Sequence, residues 1–217
     1  MLTHVTPEMI LEAYRQGIFP MADSADSPFF DFYRPVMRGQ LSIENIHIPK
    51  KLLKKIRTAP YEVTINKNFK GVIEACAAAT SARQSTWINN PIKDVFIQLH
   101  TQGYAHSVEC WHGRKLVGGL YGLAIGAVFC GESMFSTMDD ASKIALIHLC
   151  AHLWKGGFTV LDTQFTNEHL EQFGIYEIPQ EKYETIVQNE MNKPADFLLN
   201  RINEKDLIKQ YLDNRQL

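Results

Sequence analysis

Apolar residues recur every three or four positions after Thr6-Pro7-Glu8. Met9, Ile10, Ala13 and Tyr14 share one face, which predicts a helix capped by Thr6 and stopped by Gly17. Ile18-Phe19-Pro20-Met21 then reads as an apolar loop, and residues 22–42 have no period. Lys50, Lys51, Lys54 and Lys55 recur at helical spacing opposite Leu52, Leu53 and Ile56. Residues 61–65 alternate as a strand, and 68–79 read as a helix with Val72, Ile73, Ala75 and Cys76 inward. A polar loop around 80–85 leads to Thr86-Trp87-Ile88. Asn90 is then expected to cap, and Pro91 to begin, a helix packed by Val95, Phe96 and Leu99 and ended by Gly103.

Strands are predicted at 105–111, 116–123 and 127–131, with a turn at His112-Gly113 and a connection over 124–126. A helix over 140–155 follows, acidic at its start and carrying Lys155 before Gly156-Gly157, as the helix dipole favours. A strand over 158–164, a helix over 167–173 and a helix from about 179 complete the body. Phe197, Leu198, Ile202, Leu207 and Tyr211 stand at roughly helical intervals in a polar context, which reads as a surface helical tail over 192–217. This order is α+β, a mixed sheet with packed helices.

Residues 117–164 hold the polar groups that such a pattern does not explain. Glu132 adjoins a buried-looking strand, so its charge needs a partner, and a salt bridge to Lys143 would be an ordinary one. Asp162 and Gln164 lie two apart and would leave an extended strand from one face. Such a pair can also satisfy loop backbone groups, and spacing alone does not decide between the two. His148 and His152 stand one helical turn apart, but no Glu follows His148 and no third ligand is evident, so no metal is expected.

Composition narrows the function. The 217 residues are 45% hydrophobic and 21% charged, which reads as soluble and globular. The net charge of −2 leaves nucleic-acid binding to a local patch. Lys50, Lys51, Lys54, Lys55 and Arg57 make such a patch: five cations within eight positions, with no acid from Ile46 to Tyr61. A solvated basic face is the plainer alternative. Cys76, Cys110, Cys130 and Cys150 form no C-x-x-C pair and read as buried hydrophobes of a reducing compartment. The first residues lack the apolar core of a signal peptide, and no run of roughly 18 apolar residues occurs, so a cytoplasmic protein is expected.

Several segments are distinctive as written: Tyr14-Arg15-Gln16-Gly17-Ile18-Phe19-Pro20, Thr86-Trp87-Ile88, Gly131-Glu132-Ser133-Met134-Phe135-Ser136, Asp140-Ala141-Ser142-Lys143, Leu161-Asp162-Thr163-Gln164, residues 167–174 and Glu177-Ile178-Pro179. In this order, from about Leu11 to about Tyr183, the chain resembles the leucyl/phenylalanyl-tRNA–protein transferase family. Pro35 and Arg38 match a family segment whose tryptophans are replaced here by Phe32 and Tyr33 and whose serine is replaced by Arg34. The chain also starts later than is usual there.

The resemblance implies a small N-terminal domain (1–45) and a larger N-acetyltransferase (GNAT)-like domain (46–217). It implies transfer of Leu or Phe, with Met as an alternative, from aminoacyl-tRNA to proteins beginning with Arg or Lys, marking them for N-degron degradation. It places Asp162, Gln164 and Glu132 at the reacting groups, with Glu132 at the acceptor. Leu120, Phe129, Met134, Leu146, Leu149, Leu153 and Leu161 would line the amino-acid pocket, and Trp87 would meet the terminal adenine. The basic cluster would lie on the acceptor stem, in a monomer needing no cofactor. The aminoacyl ester is already activated, and an N-terminal amine of pKa about 7.7–8.0 keeps a neutral fraction near pH 7. Two rivals stand beside this reading. One is an acyl-CoA-dependent N-acetyltransferase, for which the Gly122–Gly126 run lacks a basic residue; the other is an idle tRNA-binding module, which has no use for the polar trio.

Overall fold

The computed structural model describes residues 5–79 and 85–215, so all but Ser85 of the polar loop expected at 80–85 lies outside it, as do the first four and last two residues. Helix α1 (Pro7–Arg15) begins under the Thr6 side chain, which accepts the Met9 N–H, and its chain leaves through Gly17 at φ +75°. Strands β1 (Phe19–Met21) and β2 (Asp31–Tyr33) pair antiparallel, so the expected apolar loop is half of a small two-stranded sheet.

The remaining strands form one seven-stranded sheet. They are β3 (Met37–Leu41), β4 (Glu62–Ile65), β5 (Ala105–His112), β6 (Lys115–Ile125), β7 (Val128–Ser136), β8 (Val160–Gln164) and β9 (Tyr176–Pro179). Their order is β4-β5-β6-β7-β8-β3-β9, antiparallel except for β7–β8. This is consistent with an acetyltransferase-like larger unit. β3, from the stretch without period, enters between β8 and β9. Its Arg38, Gly39 and Gln40 are buried on both faces, so no alternation marks it. The hairpin turns sit later than expected, at 113–114 and 126–127, because His112 still pairs with Lys115 and Ile125 with Val128.

Helices α2 (Lys50–Arg57), α3 (Phe69–Ala77), α4 (Asn90–Thr101), α5 (Ala141–Gly156), α6 (Glu168–Glu171), α7 (Gln180–Glu190) and α8 (Glu204–Asn214) flank the sheet. Asn89, not Asn90, caps α4: its side chain accepts the Ile92 N–H at 3.0 Å and donates to the Ser27 and Phe29 carbonyls. Two cores result. Leu120, Phe129 and Leu161 pack with α2, α5 and α8, whereas Tyr121, Val128, Cys130 and Val160 pack with α1, α3, α4 and α7. The alternation of Val128, Phe129 and Cys130 between them is the ordinary period of a strand buried on both sides.

The tail is no surface appendage. Leu207, Ile208, Tyr211 and Leu212 bury one face of α8 in the α5-side core, and Phe197 stacks on Phe129 at 5.4 Å between centroids. Of the five apolar residues noted there, Leu198 alone is exposed. The polar residues between them misled the reading, because they occupy the outer face of an amphipathic helix. No described helix is long and apolar enough to cross a membrane.

Candidate active site

The site begins with two irregularities in neighbouring strands. Along β6–β7 the pairing passes from Gly122–Gly131 to Tyr121–Ser133, so Glu132 is the extra residue of a β-bulge. That shift has two effects. Met134 pairs with Leu120 and packs on the α5-side core, while Glu132 turns to α1, where the Tyr14 hydroxyl donates to its Oε1 at 2.6 Å. Along β3–β8 the pairing passes from Gln40–Asp162 to Gly39–Gln164, leaving Thr163 extra and Gln164 at φ +57°. Gln164 is therefore not extended, and what joins it to Asp162 is its own N–H donating to Oδ1 at 3.1 Å, not the shared strand face expected.

Between these irregularities the parallel ladder of β7 and β8 ends at Cys130–Asp162. Beyond that pair β7 follows β6 and β8 follows β3, so the sheet forks. Gln164 Nε2 donates to Glu132 Oε1 across the fork at 3.3 Å. The structure thus brings Glu132, Asp162 and Gln164 together at one place.

The two carboxylates have different surroundings. Asp162 is fully buried, and Arg38, also fully buried, grips it with both arms: Nε to Oδ1 at 2.8 Å and Nη2 to Oδ2 at 2.7 Å. The Tyr183 hydroxyl donates to Oδ2 at 3.1 Å. Arg38 also donates to the Gly17 carbonyl at 2.9 Å and lies over the Phe19 and Tyr183 rings, 4.8 and 4.2 Å from their centroids. Burial opposes the Arg38 charge, but Asp162 outweighs it and holds the guanidinium above its ordinary range.

Glu132 has no cation in a described ion pair, because Lys143 binds Asp140 instead at 3.2 Å. The expected alternative of a Glu132–Lys143 bridge is therefore corrected. Part of Glu132 meets solvent, yet protein rings its carboxyl, and burial pushes its pKa up to about 8, against the Tyr14 hydrogen bond. Tyr14, wholly buried beside that carboxyl, is itself raised well above the usual phenol value, first by burial and then by Glu132.

The other expected residues divide by face. Leu120, Phe129, Leu146, Leu149, Leu153 and Leu161 are all buried in the α5-side core, with Met134 packed on it. Leu120–Met134 and Phe129–Leu161 are cross-strand partners. Trp87 is half-buried on the opposite side, with α1, and its carbonyl accepts the Ala22 N–H. Lys50, Lys51, Lys54 and Arg57 are exposed on α2. Lys55 turns away from them to Asp140, at 3.0 Å, and to the Asp139 carbonyl. All four cysteines are buried, and burial raises the Cys130 thiol well above its usual range, so it is a poor nucleophile. His152 and His148 face Glu204 of α8 at 2.8 and 3.5 Å. Burial pushes Glu204 up, but the two imidazoles outweigh it and hold its pKa at about 2.

A cavity of about 930 Å³ opens between Arg57, Tyr61, His148 and α8, but neither the fork residues nor the expected pocket residues line it. Sequence reading missed Arg38, Tyr14 and Tyr183 as site residues. Arg38 and Tyr14 stood inside the matched segments, which was the available signal; Tyr183 stood only at their end.

A forked, mostly antiparallel sheet flanked by helices, with a clamped carboxylate beside one held by neutral donors, defines an α+β protein with an enzyme-like polar site. Comparison with known proteins supplies the particular family. Residues 40–188 match the model described as leucyl/phenylalanyl-tRNA protein transferase, and residues 4–30 match that of its N-terminal domain. The chain belongs to this family and is an enzyme of it. A leucyl/phenylalanyl-tRNA–protein transferase of Phenylobacterium zucineum (strain HLK1) is 47% identical over 188 residues, covering 87% of this chain and 85% of that protein.

Proposed function

We propose that this enzyme moves Leu or Phe, with Met as a further donor residue, from aminoacyl-tRNA to the α-amine of proteins beginning with Arg or Lys, marking them for N-degron degradation. It acts as a cytoplasmic monomer without cofactor. The observation that carries the reading is the meeting of Glu132 and Gln164 across the fork, above an Asp162 fixed by Arg38.

The chemistry needs little more. The amine nitrogen attacks the ester carbonyl, a C–N bond forms, the C–O bond to the ribose breaks, and one amine proton ends on the ribose oxygen. Holding both reactants in place can lower the barrier by roughly 7–11 kcal/mol, and one donor aimed at the oxyanion by roughly 3–4. Gln164 offers an amide that can hold the amine or the carbonyl. Leu120, Phe129, Met134, Leu146, Leu149, Leu153 and Leu161 supply the apolar side of the α5 face for the Leu or Phe side chain. Trp87 takes the terminal adenine, and Lys50, Lys51, Lys54, Lys55 and Arg57 take the acceptor stem.

The acetyltransferase alternative loses its loop, because Gly122–Gly126 lies in β6 and its hairpin and not before a helix N-terminus. Transfer of radiolabelled Leu and Phe from charged tRNA to Arg- and Lys-starting peptides tests the proposal. Wild type transfers both, and Gln164→Ala lowers transfer by about 10²-fold while tRNA affinity stays. Wild-type protein that binds tRNA but leaves the peptide unmodified overturns it in favour of the idle module.

A further inference from the structure

We propose that Glu132, and not Asp162, accepts the proton of the attacking amine, with Tyr14 as the positioning residue that sets its proton affinity and Arg38 as the group that excludes Asp162 from proton transfer. This rests on the transferase reading above.

Two carboxylates reach the fork and only one can exchange a proton there. Both Asp162 oxygens are held by the Arg38 guanidinium, one also by the Tyr183 hydroxyl and the other by the Gln164 N–H, and none of its surface meets solvent. Four donors thus occupy its two oxygens, two on each, and no lone pair is left for an amine hydrogen. Glu132 is tied by two neutral groups, Tyr14 from α1 and Gln164 from β8, both at Oε1. Oε2 makes no hydrogen bond among the described residues and is the atom left for an incoming amine. The charged or titratable groups that face it are Tyr14 on α1, Asp162 on β8, Arg38 on β3 and Cys130 on its own strand; the thiol and the phenol stay neutral.

Its pKa of about 8 lies near the working pH, where a general base can both take up and return a proton. As the C–N bond forms, the amine proton passes to Glu132 Oε2, and the same proton is returned to the ribose oxygen as the C–O bond breaks. Nothing is left over. Gln164, its Nε2 turned to Glu132, keeps the amide oxygen for the second amine hydrogen. Tyr14 donates only to the carboxylate's charged form with profit, so removing its hydroxyl makes Glu132 harder to ionise.

The test is the pH dependence of kcat/KM, from pH 6 to 9.5, for one Arg-starting peptide with wild type, Tyr14→Phe and Glu132→Gln. Carboxyl ¹³C titration of Glu-labelled protein accompanies it. The signal missing in Glu132→Gln should titrate near 8 in wild type. In Tyr14→Phe both that titration and the acid limb of the rate should move up together by about one unit, a loss of roughly tenfold at pH 6.5 that is recovered by pH 9.5. Glu132→Gln should keep only the limb of the peptide's own amine, at a rate lower by about 10²-fold. A Tyr14→Phe enzyme slowed equally at every pH, or a Glu132→Gln enzyme as fast as wild type, overturns the assignment while leaving the transferase reading intact. A wild type that transfers from no aminoacyl-tRNA sinks the transferase reading itself.

Discussion

At the scale of single residues, the contrast between Glu132 and Asp162 is one of neighbours. A guanidinium and a backbone N–H grip Asp162 in the interior, whereas Glu132 has only neutral donors and holds its proton to about pH 8. Losing that proton has a cost in stability. The unfolded chain releases it near pH 4.3 and the folded chain only near 8, so Glu132 stabilises the fold fully below about pH 4.3 and progressively less as pH rises through 8. Glu132→Gln removes this dependence. Urea denaturation should show the variant gaining on wild type between pH 5 and pH 9, and parallel curves would refute the burial argument. That Glu132, Asp162 and Gln164 belong together could be read from the sequence, because they stand in dense, distinctive motifs. Tyr14 could not be read fully: its spacing marks it as core, which is true of its ring, but periodicity is blind to a hydroxyl at the far end. Arg38 sat in a stretch with no period at all.

Among elements, the bulges explain why strand logic alone fell short. One inserted residue in β7 sends Met134 to the α5 side and frees Glu132 for α1, and one in β8 lets Gln164 turn back across the fork. Neither insertion leaves a trace in the alternation of apolar residues, and β3 is placed by partners far away in sequence. Helix α2, by contrast, was legible as a basic face. Structure adds a distinction within it, since Lys55 spends its charge on Asp140 while Lys51 and Lys54 face outward. Binding of tRNA measured against KCl concentration should lose about one unit of salt slope for Lys51→Ala and for Lys54→Ala. Lys55→Ala should change the slope less. An equal loss at all three positions would mean that the Lys55–Asp140 pair opens on binding.

For the molecule as a whole, the last helix belongs to the core it was expected to lie outside. Leu207 and Tyr211 are buried against α5, and Glu204 anchors the start of α8 on His148 and His152. Leu207→Ala should therefore cost about 2–5 kcal/mol in urea denaturation, the range of a buried leucine and not of a surface residue. A loss under roughly 0.5 kcal/mol would return the tail to the surface. The α+β class was legible because its central strands and long helix each carry a clear period. The tail was not, because half of an amphipathic helix looks polar until its partner is known.

Arg38 ties all of this to the order in which the chain is made. Its grip spans Gly17 behind it and Asp162 and Tyr183 far ahead, 21, 124 and 145 residues away. No shorter stretch of polypeptide contains that knot, and contacts of such separation are slow to close. A nascent chain still threaded in the ribosome thus has no complete fork until residue 183 has emerged, so the transferase stays inert through most of its own synthesis.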